Sequence, residues 1–187
     1  MKYRHLILDR DGVLNREADG AGYILEPAQF VWLPGVREAL ATLRAAGVRL
    51  SVATNQSGVG RGLMTLEQLE AVHERMRSEA RRSGGALDAI VFCPHAPQAH
   101  CDCRKPAPGL IRQALALSGI PALHTLVVGD AARDLEAAAR AGVAAALVRT
   151  GKGRATERDL RGRDVPVYDD LPELAHAIVS EQEDRVS

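Results

Sequence analysis

Four short polar clusters in this sequence combine the residue types that phosphoryl transfer requires. Each cluster supplies groups that can ligate a cation, attack phosphorus or neutralise phosphate oxygens. The clusters are Asp9-Arg10-Asp11-Gly12, Thr54-Asn55-Gln56-Ser57-Gly58, Arg104-Lys105-Pro106 and Gly129-Asp130 with Asp134. Carboxylates repel a phosphate dianion, so a site rich in them needs a divalent cation, and a set of oxygen ligands favours Mg²⁺. The clusters therefore indicate magnesium-dependent phosphate chemistry.

The residue types also predict a separate role in the reaction for each of these side chains. Asp9 and Asp130 would hold magnesium, and Asp9 would attack phosphorus to form an aspartyl-phosphate. Asp11 lies two residues further on, where it can protonate the leaving alkoxide and later deprotonate the attacking water. Lys105 and Thr54 would stabilise the charge on the transferring phosphoryl oxygens.

Each cluster taken alone has a simpler interpretation. Asp-x-Asp-Gly is often only a turn, and it does not match a calcium loop because Gly12 comes too early. The Thr-Asn-Gln-Ser-Gly run can be an ordinary loop, and Arg104-Lys105 can be a solvated pair. Gly129-Asp130 can begin a helix that carries favourable acids in its first turn. What favours catalysis is that all four clusters fall at successive strand ends, with Arg104-Lys105-Pro106 following its strand after the cysteine loop.

Short apolar runs alternate with longer amphipathic segments, which predicts strands alternating with helices. We expect strands near residues 5–8, 48–53, 89–92, 125–128, 144–148 and 165–168, and helices near 37–46, 66–82, 110–117, 131–141 and 172–179. Strands that are apolar on both faces predict an α/β fold with a doubly wound, mostly parallel sheet. Ligands bind outside the carboxyl ends of such strands, so the four polar clusters should converge on one crevice.

Size and charge narrow the class of protein. The chain has 187 residues, of which 46% are hydrophobic, and this is typical of one globular domain. We place that domain at residues 1–180 and expect residues 181–187 to form a frayed tail. Lysine and arginine total 24, as do aspartate and glutamate, and this balance argues against a nucleic-acid partner.

The sequence also predicts where the protein works. No apolar run approaches the ~18 residues that a membrane span requires. The first five residues run into a strand-like segment and show no signal-peptide pattern. We therefore expect a cytoplasmic protein without a membrane partner, and we expect it to be a monomer.

All three cysteines fall in one short window, as Cys93-Pro-His95 and Cys101-Asp-Cys103. An odd number of clustered cysteines in an unsecreted chain does not indicate a disulfide framework. Three thiolates and one imidazole suit tetrahedral zinc and leave no open position, which predicts a structural metal. His100 competes with His95 for the fourth position, and we favour His95 because Cys-x-His mirrors Cys-x-Cys. The alternative is a set of reduced cysteines without metal.

As a set, the four clusters resemble the four motifs of the haloacid dehalogenase superfamily, in the same order over nearly the whole chain. The resemblance implies a Rossmann-like fold without a large cap domain. It implies Asp9 as nucleophile, Asp11 as acid and base, Thr54 as phosphoryl ligand and Lys105 as charge stabiliser. It further implies that Asp130 joins Asp9 and the Asp11 carbonyl oxygen on magnesium, with Asp134 in support.

Within the superfamily, the cysteine loop followed by Arg-Lys-Pro is similar to two families. These are the D-glycero-D-manno-heptose-1,7-bisphosphate 7-phosphatases and the histidinol-phosphate phosphatases. The run from Asn55 to Gly62 and the run from Leu147 to Gly151 resemble the heptose family. That resemblance implies release of the C7 phosphate from a small phosphorylated sugar. The substrate contacts that we predict are Asn55, Gln56, Ser57 and Arg104.

Ala131 departs from the heptose pattern, because relatives often carry a polar residue beside the metal aspartate. Three other functions are alternatives to heptose-bisphosphate hydrolysis. They are histidinol-phosphate hydrolysis, a polynucleotide 3′-phosphatase, and a zinc-stabilised scaffold with vestigial carboxylates. The zero net charge argues against the polynucleotide activity. The complete set of Asp9, Asp11, Lys105 and Asp130 argues against the scaffold.

Overall fold

The computed structural model describes residues 2–18, 22–160 and 164–183. Six strands form one sheet, namely β1 (His5–Leu8), β2 (Arg49–Asn55), β3 (Ala89–Cys93), β4 (Thr125–Gly129), β5 (Ala144–Val148) and β6 (Val167–Tyr168). Their order is β3-β2-β1-β4-β5-β6, and every neighbouring pair is parallel. The predicted doubly wound parallel sheet is therefore confirmed.

Six α-helices connect or follow these strands. They are α1 (Val36–Ala45), α2 (Leu66–Arg82), α3 (Gly109–Ser118), α4 (Ala132–Ala141), α5 (Gly153–Asp159) and α6 (Leu171–Glu183). Short 3₁₀ turns lie at Pro27–Gln29, Pro97–Ala99 and Ala122–His124. Helix α2 begins as its capping box predicts, because Thr65 accepts a hydrogen bond from the Gln68 amide and the Gln68 side chain accepts one from the Thr65 amide.

Both faces of the sheet are covered, because alternate residues of each strand point to opposite sides. On β1, Leu6 and Leu8 pack in the core that contains residues of α1, α2 and α6. Ile7 packs on the other face, against residues of α3 and α4. Leu8 is in register with Val52 and Val128, so the segments after β1, β2 and β4 leave the sheet at the same edge.

The structure differs from the sequence expectations by two or more residues at three ends of elements. β2 continues two residues past the expected residue 53, to Asn55. β6 is shorter than predicted, since Pro166 has no N–H to donate and contributes only its carbonyl, which accepts from Leu147. α6 continues to Glu183, so residues 181–183 are helical where we expected a frayed tail, because Glu and Gln are good helix formers. The rest of that predicted tail, residues 184–187, lies outside the described residues.

Helix α5 is not among the five helices that we predicted from the sequence. Its N-terminus follows the turn at residues 149–152, directly after β5. In the described part of the chain, no helix is long and apolar enough to cross a membrane.

Candidate active site

Lys105 lies at the centre of the crevice formed by the carboxyl ends of β1–β4. Its Nζ is 2.9 Å from Asp9 Oδ2 and 2.6 Å from Asp134 Oδ1, and it donates a 2.8 Å hydrogen bond to the Ala53 carbonyl. The Lys105 side chain is 1% exposed. One buried ammonium group therefore joins the segments after β1 and β3 to the end of β2 and the first turn of α4.

Asn55 holds the Lys105 main chain. The side-chain amide of Asn55 donates to the Lys105 carbonyl and accepts from the Lys105 N–H, at 3.0 Å in both directions. We predicted Asn55 as a substrate contact from its place in the second cluster. Its reciprocal bonds give it the geometry of a positioning residue that acts through Lys105.

The environment of Asp9 penalises its charge. Asp9 is 4% exposed, and burial raises the pKa of its carboxyl to about 7, with Asp134 and Asp130 acting in the same direction and Lys105 opposing them. The Arg10 main-chain N–H donates to Asp9 Oδ1 at 2.7 Å. This carboxylate lacks enough positive charge around it, which fits a group that works beside a bound cation.

Asp11 has the opposite electrostatic setting. Burial alone would raise the pKa of its carboxyl, but the Arg10 charge and hydrogen bonds from Asn15 and Gln56 outweigh burial and lower that pKa. The Arg10 guanidinium makes three contacts of 3.0 to 3.2 Å with this carboxylate. Asp11 is therefore held as a carboxylate, the form that accepts a proton from water.

Gln56 connects Asp11 with Thr54. Its Nε2 donates to Asp11 Oδ2 and to Thr54 Oγ1, both at 2.9 Å. The structure thus brings the second cluster against the first, as we predicted. Ser57 lies beside these residues, and its hydroxyl is 3.1 Å from the Tyr23 hydroxyl.

Asp130 sits in a tight cradle made by main chain. It is 0% exposed, and its Oδ2 accepts a 2.8 Å hydrogen bond from the Lys152 N–H. A Cβ built on Gly12 or on Gly151 would lie 2.2 Å from that oxygen. Burial raises the pKa of Asp130 to about 6. Its other oxygen, Oδ1, is buried and has no hydrogen-bond partner among the described residues.

These carboxylates fit a magnesium ion. Asp9, Asp130 and Asp134 are all buried, and each offers an oxygen within 4.8 Å of the others. Hard oxygen donors are what Mg²⁺ prefers, and the orphaned Oδ1 of Asp130 requires a partner. Asp134 uses Oδ2 to accept from the Ala131 N–H and Oδ1 to pair with Lys105. That arrangement suits the supporting role that we predicted for Asp134.

Replacing Gly151 by alanine should damage this site through the cradle. The added Cβ would displace the Asp130 carboxylate, and we expect the Mg²⁺ concentration for half-maximal activity to rise about 10- to 100-fold. Activity toward a generic phosphate ester, titrated with Mg²⁺, measures the effect.

Gly142→Ala is the matched control for that variant. Gly142 also has a positive φ, 71° against 54° for Gly151, but nothing lies within 4 Å of a Cβ built there. Both variants carry the backbone strain of about 1 kcal/mol, which thermal unfolding reports. Identical Mg²⁺ titrations for the two variants would refute the cradle.

The cysteine loop gathers four donor atoms. Sγ of Cys101 is 3.5 Å from Sγ of Cys93 and 3.4 Å from Sγ of Cys103, and His95 Nδ1 is 3.6 Å from Cys93 and 3.3 Å from Cys103. A tetrahedral zinc ion needs ligand separations of about 3.5 to 3.8 Å, given its bond lengths. The four atoms therefore fit zinc, and His100 is not among them.

Arg104 directly follows this loop and precedes Lys105. It is half-buried, and its Nη1 lies 3.5 Å from the His95 carbonyl, which makes a long hydrogen bond. The loop also touches the second cluster, because the Gln56 N–H donates to the Cys93 carbonyl and the Gly60 N–H to the Pro94 carbonyl, both at 2.8 Å. The donor atoms, Arg104 and Lys105 thus form one connected unit.

Comparison with known proteins identifies the family to which the chain is similar. The HAD-hydrolase-like family model matches residues 102–174. A D-glycero-beta-D-manno-heptose-1,7-bisphosphate 7-phosphatase from Pseudomonas putida is 42% identical and covers 93% of this chain and 98% of the relative. The chain belongs to the heptose-1,7-bisphosphate 7-phosphatase family.

Two further relatives of this family are informative. The crystal structure of the D,D-heptose 1,7-bisphosphate phosphatase from B. bronchiseptica, complexed with magnesium and phosphate, is 40% identical. It has a TM-score of 0.88 and covers 95% of this chain and 99% of the relative. A D-glycero-alpha-D-manno-heptose-1,7-bisphosphate 7-phosphatase from Mycobacterium tuberculosis is 41% identical and covers 75% of this chain and 74% of the relative. The resemblance inferred from the four motifs is confirmed.

Sequence reasoning missed several residues of this phosphatase site. Arg10 is 1% exposed and neutralises Asp11, although an arginine between two aspartates reads as an exposed turn residue. The Thr150 hydroxyl donates to the Gly12 carbonyl at 2.6 Å, so the segment after β5 contacts the first cluster. The run from Leu147 to Gly151, noted only as a family resemblance, was the signal that could have found it.

Proposed function

We propose that this chain removes the C7 phosphate of D-glycero-D-manno-heptose 1,7-bisphosphate and leaves heptose 1-phosphate and inorganic phosphate. The observation that carries the reaction class is the buried Asp9–Lys105 ion pair beside the orphaned Asp130 oxygen. The substrate is supported by the relatives of that name, which match the chain over nearly its whole length.

In the first half of the reaction, Asp9 attacks phosphorus. A bond forms between an Asp9 oxygen and phosphorus while the bond from phosphorus to the C7 oxygen breaks. The leaving alkoxide takes its proton from Asp11, which must first be protonated because its pKa is low in the free protein. Its exposed fraction of 26% gives protons access from solvent.

In the second half, water hydrolyses the phosphorylated Asp9. Asp11, now a carboxylate, takes a proton from the water as its oxygen bonds to phosphorus. The bond to Asp9 breaks, and the Asp9 carboxylate returns to its pair with Lys105. Asn55 and Asp134 keep Lys105 in place through both halves, where its charge and the Thr54 hydroxyl stabilise the phosphoryl oxygens.

Asp9, Asp130 and the Asp11 carbonyl oxygen would hold the magnesium ion. When bound, it neutralises the phosphate dianion and so lets the carboxylates approach it. Cys93, His95, Cys101 and Cys103 would hold a structural zinc ion that fixes Arg104 and Lys105. The monomeric state, the cytoplasmic location and the lack of a nucleic-acid partner stay predictions from the sequence.

Substrate recognition would come from the second cluster and Arg104. The Ser57 hydroxyl and the Gln56 amide lie beside Asp11 and Thr54, within the region that a bound sugar would occupy. We expect the β anomer to be preferred, since the beta relative from Pseudomonas putida covers 93% of the chain and the alpha relative from Mycobacterium tuberculosis covers 75%.

A kinetic comparison tests this function. We expect kcat/KM for the β-heptose bisphosphate to exceed that for the α anomer, and both to exceed that for histidinol phosphate by about 100-fold or more. Reactions with EDTA in place of Mg²⁺ provide the control and should be inactive. Faster hydrolysis of histidinol phosphate would overturn the heptose assignment and favour its nearest competitor.

A further inference from the structure

The turn between β5 and α5 touches both segments that carry the ligands we assign to magnesium. The Thr150 hydroxyl donates to the Gly12 carbonyl at 2.6 Å, and the Lys152 N–H donates to Asp130 Oδ2 at 2.8 Å. Gly12 directly follows Asp11, whose carbonyl oxygen is one of the assigned ligands. This one turn therefore connects the segment after β1 with the segment after β4.

Gly12 requires an external contact of this kind because its backbone has more freedom than that of other residues. Its φ of 86° lies in the left-handed region, and glycine adopts other conformations about as readily. Hydrogen bonds hold it on both sides, since its N–H donates to the Asn15 carbonyl at 2.8 Å and its own carbonyl accepts from Thr150. The peptide plane that contains the Gly12 N–H also contains the Asp11 carbonyl oxygen. The orientation of that oxygen therefore depends on how Gly12 is held.

The turn is itself anchored and lies directly against Gly12. A Cβ built on Gly151 would lie 2.7 Å from the Gly12 Cα atom, so the two main chains are in contact. The Arg149 guanidinium group, at the start of the turn, donates to both oxygens of Glu157 at 2.7 and 2.8 Å and to Asp169 at 2.9 Å. The turn is therefore a fixed support for the Gly12 main chain.

We propose that Thr150 is a positioning residue for the magnesium site, because its hydroxyl fixes the Gly12 main chain and, through it, the Asp11 carbonyl oxygen. Without this hydrogen bond the peptide between Asp11 and Gly12 is free to turn, and ordering it when the ion binds costs affinity. Residues that orient metal ligands in this way typically contribute about 10- to 100-fold to metal affinity. This role rests on the proposed function, which assigns that oxygen to Mg²⁺.

The test compares Mg²⁺ binding by the parent protein, Thr150→Val and Thr150→Ser in the absence of substrate. Valine keeps the branched shape of threonine but replaces the hydroxyl by a methyl group, whereas serine keeps the hydroxyl. Calorimetric titration with Mg²⁺ should give a Kd that is about 10- to 100-fold higher in Thr150→Val and within about threefold of the parent value in Thr150→Ser. The Mg²⁺ concentration for half-maximal hydrolysis of a generic phosphate ester should shift in the same way.

Thr125→Val is the matched control. The Thr125 hydroxyl also donates to a main-chain carbonyl, that of Pro121 at 3.1 Å, but Thr125 begins β4 and so lies at the opposite edge of the sheet. Both valine variants lose one hydrogen bond, and each should lower the thermal unfolding midpoint by about 2 to 4 °C. We expect Thr125→Val to bind Mg²⁺ as the parent does.

Parent-like Mg²⁺ binding by Thr150→Val would overturn the inference, and so would equally weakened binding by Thr150→Ser or Thr125→Val. A parent protein that binds no Mg²⁺ would refute the magnesium site and the role of Thr150 together. A parent protein that binds Mg²⁺ but does not hydrolyse heptose 1,7-bisphosphate would refute the proposed substrate alone.

Discussion

Asp9→Asn is expected to abolish turnover while the protein stays folded. The amide is nearly isosteric with the carboxylate, but it cannot attack phosphorus, so we expect kcat to fall by about a thousandfold or more. Because burial already penalises the Asp9 charge, the neutral side chain should not lower the thermal unfolding midpoint above pH 7. Lys105 keeps its 2.6 Å pair with Asp134 in this variant, so the site should stay assembled.

Steady-state kinetics with a generic phosphate ester and thermal unfolding measure these two effects. Asp11→Asn is the matched variant, since it removes the second carboxylate of the same cluster. It should allow phosphorylation of Asp9 by a substrate with a good leaving group, and it should stall the hydrolysis of that intermediate. Phosphorylated protein should therefore accumulate in Asp11→Asn and not in Asp9→Asn. Activity of Asp9→Asn within tenfold of the parent would refute Asp9 as the nucleophile.

Cys101→Ala is expected to remove the zinc and much of the stability. The parent should purify with one equivalent of zinc, because four donor atoms already lie at tetrahedral separations. Metal binding contributes directly to folding, and the loss of several kcal/mol should lower the unfolding midpoint by about 10 °C. The loop at residues 94–100 buries few apolar groups of its own, so little else holds it.

The activity of Cys101→Ala should fall indirectly, because the loop carries Arg104 and Lys105 and bonds to the main chain at Gln56 and Gly60. We expect kcat to fall about tenfold in the fraction that remains folded. His100→Ala controls for a change in the same loop outside the donor group, and it should keep zinc, stability and activity. Metal analysis by mass spectrometry measures the zinc content. A metal-free parent protein with full activity would refute the structural zinc.

Much of the fold and the site was predictable because the signals are local. The capping box at Thr65 and the glycines that end α1 and α4 act within a few residues. Three of the polar clusters lie at or just after the carboxyl ends of β1, β2 and β4, and the third, with Lys105, follows the cysteine loop after β3. Parallel topology brings the carboxyl ends of such strands together. The same reasoning predicts Asp9, Thr54, Lys105 and Asp130 in one crevice.

The remaining features depend on contacts between distant residues. Asn55 reaches Lys105 across 50 residues, and Thr150 reaches Gly12 across 138. No local sequence pattern indicates that the Asn55 side-chain amide hydrogen-bonds to the Lys105 main chain. Nor does one indicate that Arg10 is buried against Asp11. Side-chain partners, unlike strand ends, are set by tertiary packing.

The position of the released phosphate tests the central claim most directly. Phosphorus NMR of heptose 1,7-bisphosphate during turnover should show the C7 signal replaced by inorganic phosphate, while the signal of the C1 phosphate persists in the product. This result follows if Asp9 and Lys105 receive the C7 phosphate and Arg104 contacts the C1 phosphate. Loss of the C1 signal with retention of the C7 signal would contradict the account.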